Sequence, residues 1–367
     1  MIKNFSYSNQ LTFFQKIRSV DYILLFSIFT VGVISCFAMY STDGGELLYH
    51  SKNHAIRFGI FFVMMIIVSF INIKFWHSIS YIFYFVVLLL LFFASFYGIT
   101  ASGSQRWINL YFLNLQPSEL MKIAIIICFA KYYHRVQLHS VNNFTTLAIP
   151  IVILIIPIFL VISQPDLGTS ILIALSGIMV LWLAGINIKY FVFASIVFVI
   201  SAPFVISFLK PYQKLRILSF FNPDRDPLGA GYQIIQSKIA VGSGGLFGKG
   251  FLKGTQSYLD FLPEKHTDFI FTLFSEEFGF IGSVGLLILY TIIIFRIIRI
   301  GALSRSNFSK LFCFGFAFSI FIYIVVNLSM VLGLLPIVGS PLPIMSYGGS
   351  SMLATMIGFG IVLSAKI

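Results

Sequence analysis

Glu264, His266 and Asp268 alternate in the run L-P-E-K-H-T-D-F-I-F, with Glu276 and Glu277 following in the apolar stretch beyond. Asp268 borders the apolar residues 269–274, so desolvation and neighbouring acids would both raise its pKa towards the range of a general base. An acid at a helix start can equally be a cap that favours the helix dipole, and spacing alone leaves both readings open. Glu119 and Lys122 stand three apart in Q-P-S-E-L-M-K, which puts them on one helical face behind a proline suited to the first turn. They form either an ion pair locking helices or a point charge, Lys122, for an anionic headgroup. Arg106 and Trp107 form a pair of the kind that anchors a chain at a membrane interface. Asp166 lies in Q-P-D-L-G-T, a tight turn by its proline and acid.

The glycine-rich run from Gly242 to Gly250 fails the nucleotide P-loop pattern, because Ser243 stands where the first Gly belongs and Gly250 follows Lys249. It reads as an interfacial turn or as a backbone cradle for a lipid phosphate. The six histidines are scattered with no H-E-x-x-H, so no zinc spacing is present. Cys36, Cys128 and Cys313 lie in apolar segments and read as packing residues.

The elements that must position these groups are apolar. Of the 367 residues 58% are hydrophobic and only 10% charged, with a mean hydropathy of +0.97, against roughly 25% charged in an average soluble domain. The chain therefore reads as an all-α polytopic membrane protein, one unit over residues 1–367. About ten spans fall at 20–41, 55–73, 79–100, 117–134, 145–163, 168–186, 188–209, 269–298, 308–333 and 341–365, each near the ~20 residues a bilayer core needs. The Gly- and Pro-rich stretch 333–349 reads as re-entrant or broken, which survives only where protein or water covers the backbone. A polar loop, about 210–268, separates the seventh and eighth spans. Basic residues crowd one set of short connections, among them Lys16, Arg18, Lys74, Lys131, Arg135, Arg296 and Arg299. That bias puts both termini in the cytoplasm and the long loop outside. It also accounts for the net charge of +12 without nucleic acid, since no basic run is present.

Taken together, these motifs resemble the SEDS family of bacterial cell-wall proteins (shape, elongation, division and sporulation). The matching pieces are R-W at Arg106, Q-P-S-E-x-x-K from Gln116 to Lys122, Q-P-D-L-G-T from Gln164 to Thr169, and K-x-R-x-x-x-F-x-N-P from Lys214 to Pro223. They continue with G-Y-Q-x-x-Q-S from Gly231 to Ser237, the glycine-rich turn, L-P-E-x-H-T-D-F-I-F and the terminal P-x-x-S-Y-G-G-S. The likeness runs in order along essentially the whole chain, and the short tails and overall pattern favour the family's elongation branch over its division branch.

The resemblance implies a peptidoglycan glycosyltransferase in the bacterial cytoplasmic membrane. Its donor would be a glycan on undecaprenyl diphosphate, its acceptor lipid II, and its product a β-1,4 strand for elongation and rod shape. The family's catalytic aspartate falls on Asp268, as base for the acceptor hydroxyl. An α-linked donor giving a β linkage requires inversion, for which one base suffices. Arg106, Lys122 and Arg216 would face the diphosphate, with Glu119 orienting Lys122, and Thr267, His266 and Glu264 near Asp268. Trp107 and Asp166 complete the expected substrate-binding set. A divalent cation is compatible with this chemistry, although no site for one is visible. Expected partners are a class B penicillin-binding protein and other elongation-complex membrane proteins. The rival readings are a lipid II flippase, the septal polymerase of the same family, or a non-catalytic scaffold. Flipping needs a polar path across the bilayer, and ionisable residues are scarce mid-span.

Overall fold

A computed structural model of the chain describes residues 13–101, 104–110, 114–137, 139–208, 211–222, 229–255 and 264–367. Positions 223–228 and 262–263, which carry parts of two of the motifs above, lie outside the described residues. The order is α1 (Phe13–Ser19), α2 (Tyr22–Thr42), α3 (Tyr49–Ser69), α4 (Ile73–Tyr97), β1 (Ile99–Ala101), β2 (Ser104–Asn109), β3 (Asn114–Leu115), α5 (Pro117–Tyr133), α6 (Phe144–Ser163) and α7 (Leu167–Leu183). It continues with α8 (Ile188–Phe208), α9 (Pro211–Phe221), α10 (Ala230–Ser243), α11 (Ile270–Leu303), α12 (Asn307–Val331) and α13 (Gly349–Lys366). Among the described residues seven of these, α2, α3, α4, α6, α11, α12 and α13, are long and apolar enough to cross a membrane by length and composition, against the about ten spans expected. A small antiparallel sheet, β1–β2–β3, departs from the all-helical expectation and carries Arg106 and Trp107 on β2.

Helix α5 is the centre of the bundle. Every residue from Pro117 to Ala130 is buried, and α4, α7, α12 and α13 pack around it. A helix covered on all sides has no lipid-facing stripe, so protein rather than hydrocarbon surrounds Glu119 and Lys122. The peripheral helices turn large apolar side chains outward, such as Phe85 and Phe92 on α4 and Phe193 and Phe198 on α8. Residues 333–348 form irregular backbone, and Ile337, Ser340, Leu342, Met345 and Ser346 in it are buried. The last helix accordingly starts at Gly349, later than the 341 read from the sequence. Ile344 takes φ +69°, outside right-handed helical geometry, and Pro343 disfavours helical geometry at Leu342, so no continuous helix runs from 341.

The glycine-rich run is spliced into a break in α11. Gly279 adopts φ +65°, outside helical geometry, and the broken ladder is repaired from the loop. The N–H groups of Lys249 and Gly250 donate to the carbonyls of Glu276 and Glu277, both at 3.0 Å. Phe280 and Ile281 donate in return to Gly245 at 2.9 Å and Leu246 at 3.1 Å. A Cβ on Gly248 would lie 2.0 Å from the Glu277 carbonyl oxygen, so only glycine permits this approach. The Glu276 side chain accepts from Lys249 Nζ (2.6 Å), the Thr255 N–H and the Thr255 hydroxyl (both 2.9 Å). Loop amides that a phosphate would need are therefore engaged by helix carbonyls.

At the opposite end of the bundle, Asp21 caps α2 through the Leu24 N–H (3.0 Å) and gathers Arg296 of α11 and Lys366 of α13. Burial pushes the Asp21 carboxyl up, but Arg296, the Leu24 N–H and Lys366 outweigh it and hold it below the ordinary carboxylate value. A depressed folded-state pKa contributes stability that is present above the unfolded value, ~3.9, and is lost as pH falls through the folded one. Asp21→Asn should therefore lower thermal stability in detergent at neutral pH, by about 2–3 kcal/mol after allowing for the part-exposed Lys366. The gap from wild type should narrow in acid; a constant gap from neutral pH to about pH 3 would argue against the ion cluster.

Candidate active site

One cavity of about 630 Å³ opens among the sheet, the start of α7, the segment before α11 and the irregular 333–348 stretch. Arg106, Trp107, Glu119, Asp166, Arg216, Glu264, Thr267 and Asp268 all line it. Residues more than 160 positions apart thus share one wall, because the ends of α5, α7 and α13 and the approach to α11 meet at the same end of the bundle.

Asp268 is half-buried, so part of it remains reachable from the cavity. Burial pushes its carboxyl up, and Glu264 adds to this; Arg216 and Arg106 oppose it, and the result is about 7. A carboxyl poised there can accept a proton at neutral pH and release it again. Its backbone is held from α12, where Asn327 donates through Nδ2 to the Asp268 carbonyl (2.8 Å) and to the Ser340 carbonyl (2.7 Å). Thr267 Oγ1 donates to Glu264 Oε2 at 2.8 Å, which closes the turn before Asp268.

Asp166 is the second carboxylate on the wall. It caps α7 through the Thr169 N–H (3.1 Å) and accepts from Arg106 Nη1 (2.8 Å) and Gln116 Nε2 (3.0 Å). With three donors around it, the Asp166 carboxylate is fixed in place and aims Arg106. Ser350 Oγ joins the C-terminal helix to the same region, accepting from the Gln116 N–H (2.8 Å) and donating to the Asn114 carbonyl (2.7 Å). Arg216 donates to the Ile337 carbonyl at 3.2 Å.

Lys122 is placed differently from the sequence expectation. Its Nζ lies 2.8 Å from Glu119 Oε2 and 3.9 Å from the Tyr323 ring centroid, and Glu119, not Lys122, is a lining residue. Lys122 therefore meets the cavity only by way of Glu119, because three residues along α5 carry it one turn deeper into the bundle. His266 also departs from expectation. Its ring turns away from Asp268 to Thr42 (3.0 Å) and stacks on His50, while its carbonyl accepts from the Tyr347 N–H (2.8 Å). Glu276 and Glu277 face the glycine-rich loop and Ser41, away from Asp268. Sequence reasoning passes over Asn327; the signal it offers is a lone amide in an apolar helix.

Asn327→Leu removes both donations and leaves two carbonyls in a buried setting without them. At ~1–3 kcal/mol for each orphaned group, thermal unfolding should reveal a loss of about 2–4 kcal/mol. Asn327→Asp should not recover it, since a carboxylate donates nothing. Wild-type stability in both variants would remove Asn327 from its supporting role.

The chain matches the family model described as the FtsW, RodA and SpoVE cell cycle protein over residues 16–367. It is 40% identical over 359 residues to the peptidoglycan glycosyltransferase MrdB of Escherichia coli, covering 97% of this chain and 95% of that protein. It is 34% identical over 356 residues to stage V sporulation protein E of Bacillus subtilis, covering 94% and 95%. Among solved structures it superposes with a chain of a peptidoglycan synthase complex that coordinates polymerization and crosslinking. The TM-score is 0.81 at 29% identity, over 95% of this chain and 97% of that one. The rod shape determining protein RodA of Thermus thermophilus has the same fold, with a TM-score of 0.72 at 24% identity over 95% and 96% of the two chains. This protein belongs to the SEDS family of FtsW, RodA and SpoVE proteins.

Proposed function

We propose that this multi-pass membrane protein is a peptidoglycan glycosyltransferase that polymerises lipid II during cell elongation, with Asp268 as its base. The observation that carries the reading is the half-buried Asp268 carboxyl, held near neutrality, on a cavity wall shared with Arg106 and Arg216. In the reaction, Asp268 takes the proton of the acceptor's sugar hydroxyl as that oxygen attacks the donor's anomeric carbon. The carbon–oxygen bond to the lipid diphosphate breaks with inversion, and the departing diphosphate takes up negative charge. Arg106, aimed by Asp166, and Arg216, steadied by the Ile337 carbonyl, supply positive charge on the same cavity. Glu119 links the cavity to Lys122 behind it.

The whole chain acts as one unit in this reading. Both termini lie in the cytoplasm, because the basic connections cluster with Asp21, Arg296 and Lys366 at the end remote from the cavity. A class B penicillin-binding protein is the partner that would cross-link the strands. The likeness to a synthase-complex chain supports that pairing, and the 40% identity to MrdB supports the elongation role over the septal one.

Purified wild type should polymerise lipid II, and Asp268→Asn, which keeps shape but removes the base, should lose ~100-fold to 10,000-fold in rate. Gel analysis of glycan strands, with thermal unfolding to verify the fold, measures this. Strand formation at the wild-type rate by a folded Asp268→Asn would move the base elsewhere. Lipid II crossing vesicle bilayers without strand formation would establish the flippase instead.

A further inference from the structure

A third arginine lines the cavity, and the reaction described above gives it no task. Arg57 belongs to α3 and stands about two turns along it from Tyr49, which lines the same cavity. Its Cζ lies over the Tyr347 ring, 5.0 Å from the centroid. His50 meets that ring edge-on at 5.1 Å, and His54 packs against it at 6.4 Å. His50, His54 and Arg57 follow one another at spacings of four and three, so one face of α3 grips the ring. The platform is fixed in turn. The Tyr347 N–H donates to the His266 carbonyl at 2.8 Å, and His54 Nε2 lies 2.9 Å from the Ser35 hydroxyl.

Arg57 differs from Arg106 in its pairing. Arg106 is neutralised by Asp166 at 2.8 Å, whereas among the described residues no carboxylate pairs with Arg57. An arginine inside an apolar helix without an acid beside it is costly to keep, and marks a place where an anion arrives. Laid over an aromatic ring, a guanidinium keeps the N–H groups of its planar fork, which suit a phosphate bidentately. Arg57 also stands farther from the chemistry. Arg216 and Arg106 are the cations that act most strongly on the Asp268 carboxyl, and Arg57 is not among them; such an effect weakens with distance.

Both substrates of the proposed polymerisation carry a lipid diphosphate, and the assignment that follows rests on that reading. The donor's diphosphate sits on the carbon under attack, beside the hydroxyl that Asp268 deprotonates, so its cations belong near Asp268. The acceptor's hydroxyl lies on the outer sugar of a disaccharide, and its diphosphate lies beyond the inner one. A cation for that group must share the cavity yet stand farther from Asp268, as Arg57 does. We propose that Arg57, held on Tyr347, binds the diphosphate of the acceptor lipid, while Arg106 and Arg216 face that of the donor. The acceptor's diphosphate keeps its bonds throughout the reaction. Arg57 therefore binds it alike before and during the transfer and acts on KM, whereas cations on the departing group act on kcat.

The test is a single coupling by the purified full chain in detergent. The donor is lipid II with its acceptor hydroxyl blocked, so that it can give its glycan but not receive one. Two acceptors have a methylene in place of the anomeric oxygen, so that they can receive but not give. One carries the lipid diphosphate, and the other joins the same lipid through an uncharged ether. Wild type should prefer the charged acceptor in kcat/KM, chiefly through KM. Arg57→Gln should cut that preference about 10- to 100-fold, the worth of hydrogen bonds to a charged group. Arg57→Lys, a point charge without the fork, should keep part of it, and Arg106→Gln should slow both acceptors alike. A ratio measured within one preparation does not depend on how much of it is folded. Both acceptors carry the same peptide, so an Arg57 that served a peptide carboxylate would slow both alike. That result, no preference in the wild type, or a preference that Arg57→Gln retains would each overturn the subsite, while wild-type coupling upheld the polymerase. Coupling of neither acceptor by the wild type would remove the polymerase reading and the subsite with it.

Discussion

The side-chain amide of Asn327 is the hinge on which the cavity turns. Its two N–H groups reach the carbonyls of Asp268 and Ser340, and so fasten two stretches of non-helical backbone to the last turns of an apolar helix. Irregular backbone has no ladder of its own to satisfy its carbonyls. A leucine of similar size would pack there, but it could not supply the donors. The Asp268 turn and the 333–348 stretch form opposite parts of one wall because a single amide serves both.

Charge is distributed to match. Asp21, Arg296 and Lys366 neutralise one another at one end of the bundle, while the cavity end keeps Asp268 and Asp166 facing Arg106 and Arg216. At the first end the ions only join helices, so a nearly closed pairing serves. At the cavity end one acid, Asp166, is committed to aiming an arginine, and the other is left accessible with a raised pKa. Three donors surround Asp166 and hold it in place.

The break at Gly279 shows the same economy of backbone groups. Interrupting α11 frees carbonyls and amides that the glycine-rich loop takes up within 3.1 Å. Gly248 and Gly279 meet there because neither has a Cβ to keep the strands of chain apart. A glycine-rich sequence followed by lysine suggests an anion site to the eye, yet here its amides complete a helix.

Much of the architecture was legible in the residues alone. Hydropathy is a property of each segment against its solvent, so the apolar helical character and the broken stretch near Gly333 could be read without coordinates, with seven long apolar helices among the described residues where about ten spans were expected. Motif order along the chain carried the family, and the apolar flank of Asp268 pointed to a raised pKa. What the sequence could not decide was convergence. Whether Lys122 or Glu119 reaches the cavity depends on how α5 is rotated among four neighbours, and that follows from packing on every face. The six histidines look scattered in one dimension, but the end of α2, the start of α3 and the approach to α11 bring His50 and His266 against Asp43. Asn327 reads as one polar residue in an apolar helix until the tertiary structure supplies its two acceptors. Local composition is set by the solvent that each segment meets; the site is set by the register between segments, which only the packed bundle determines.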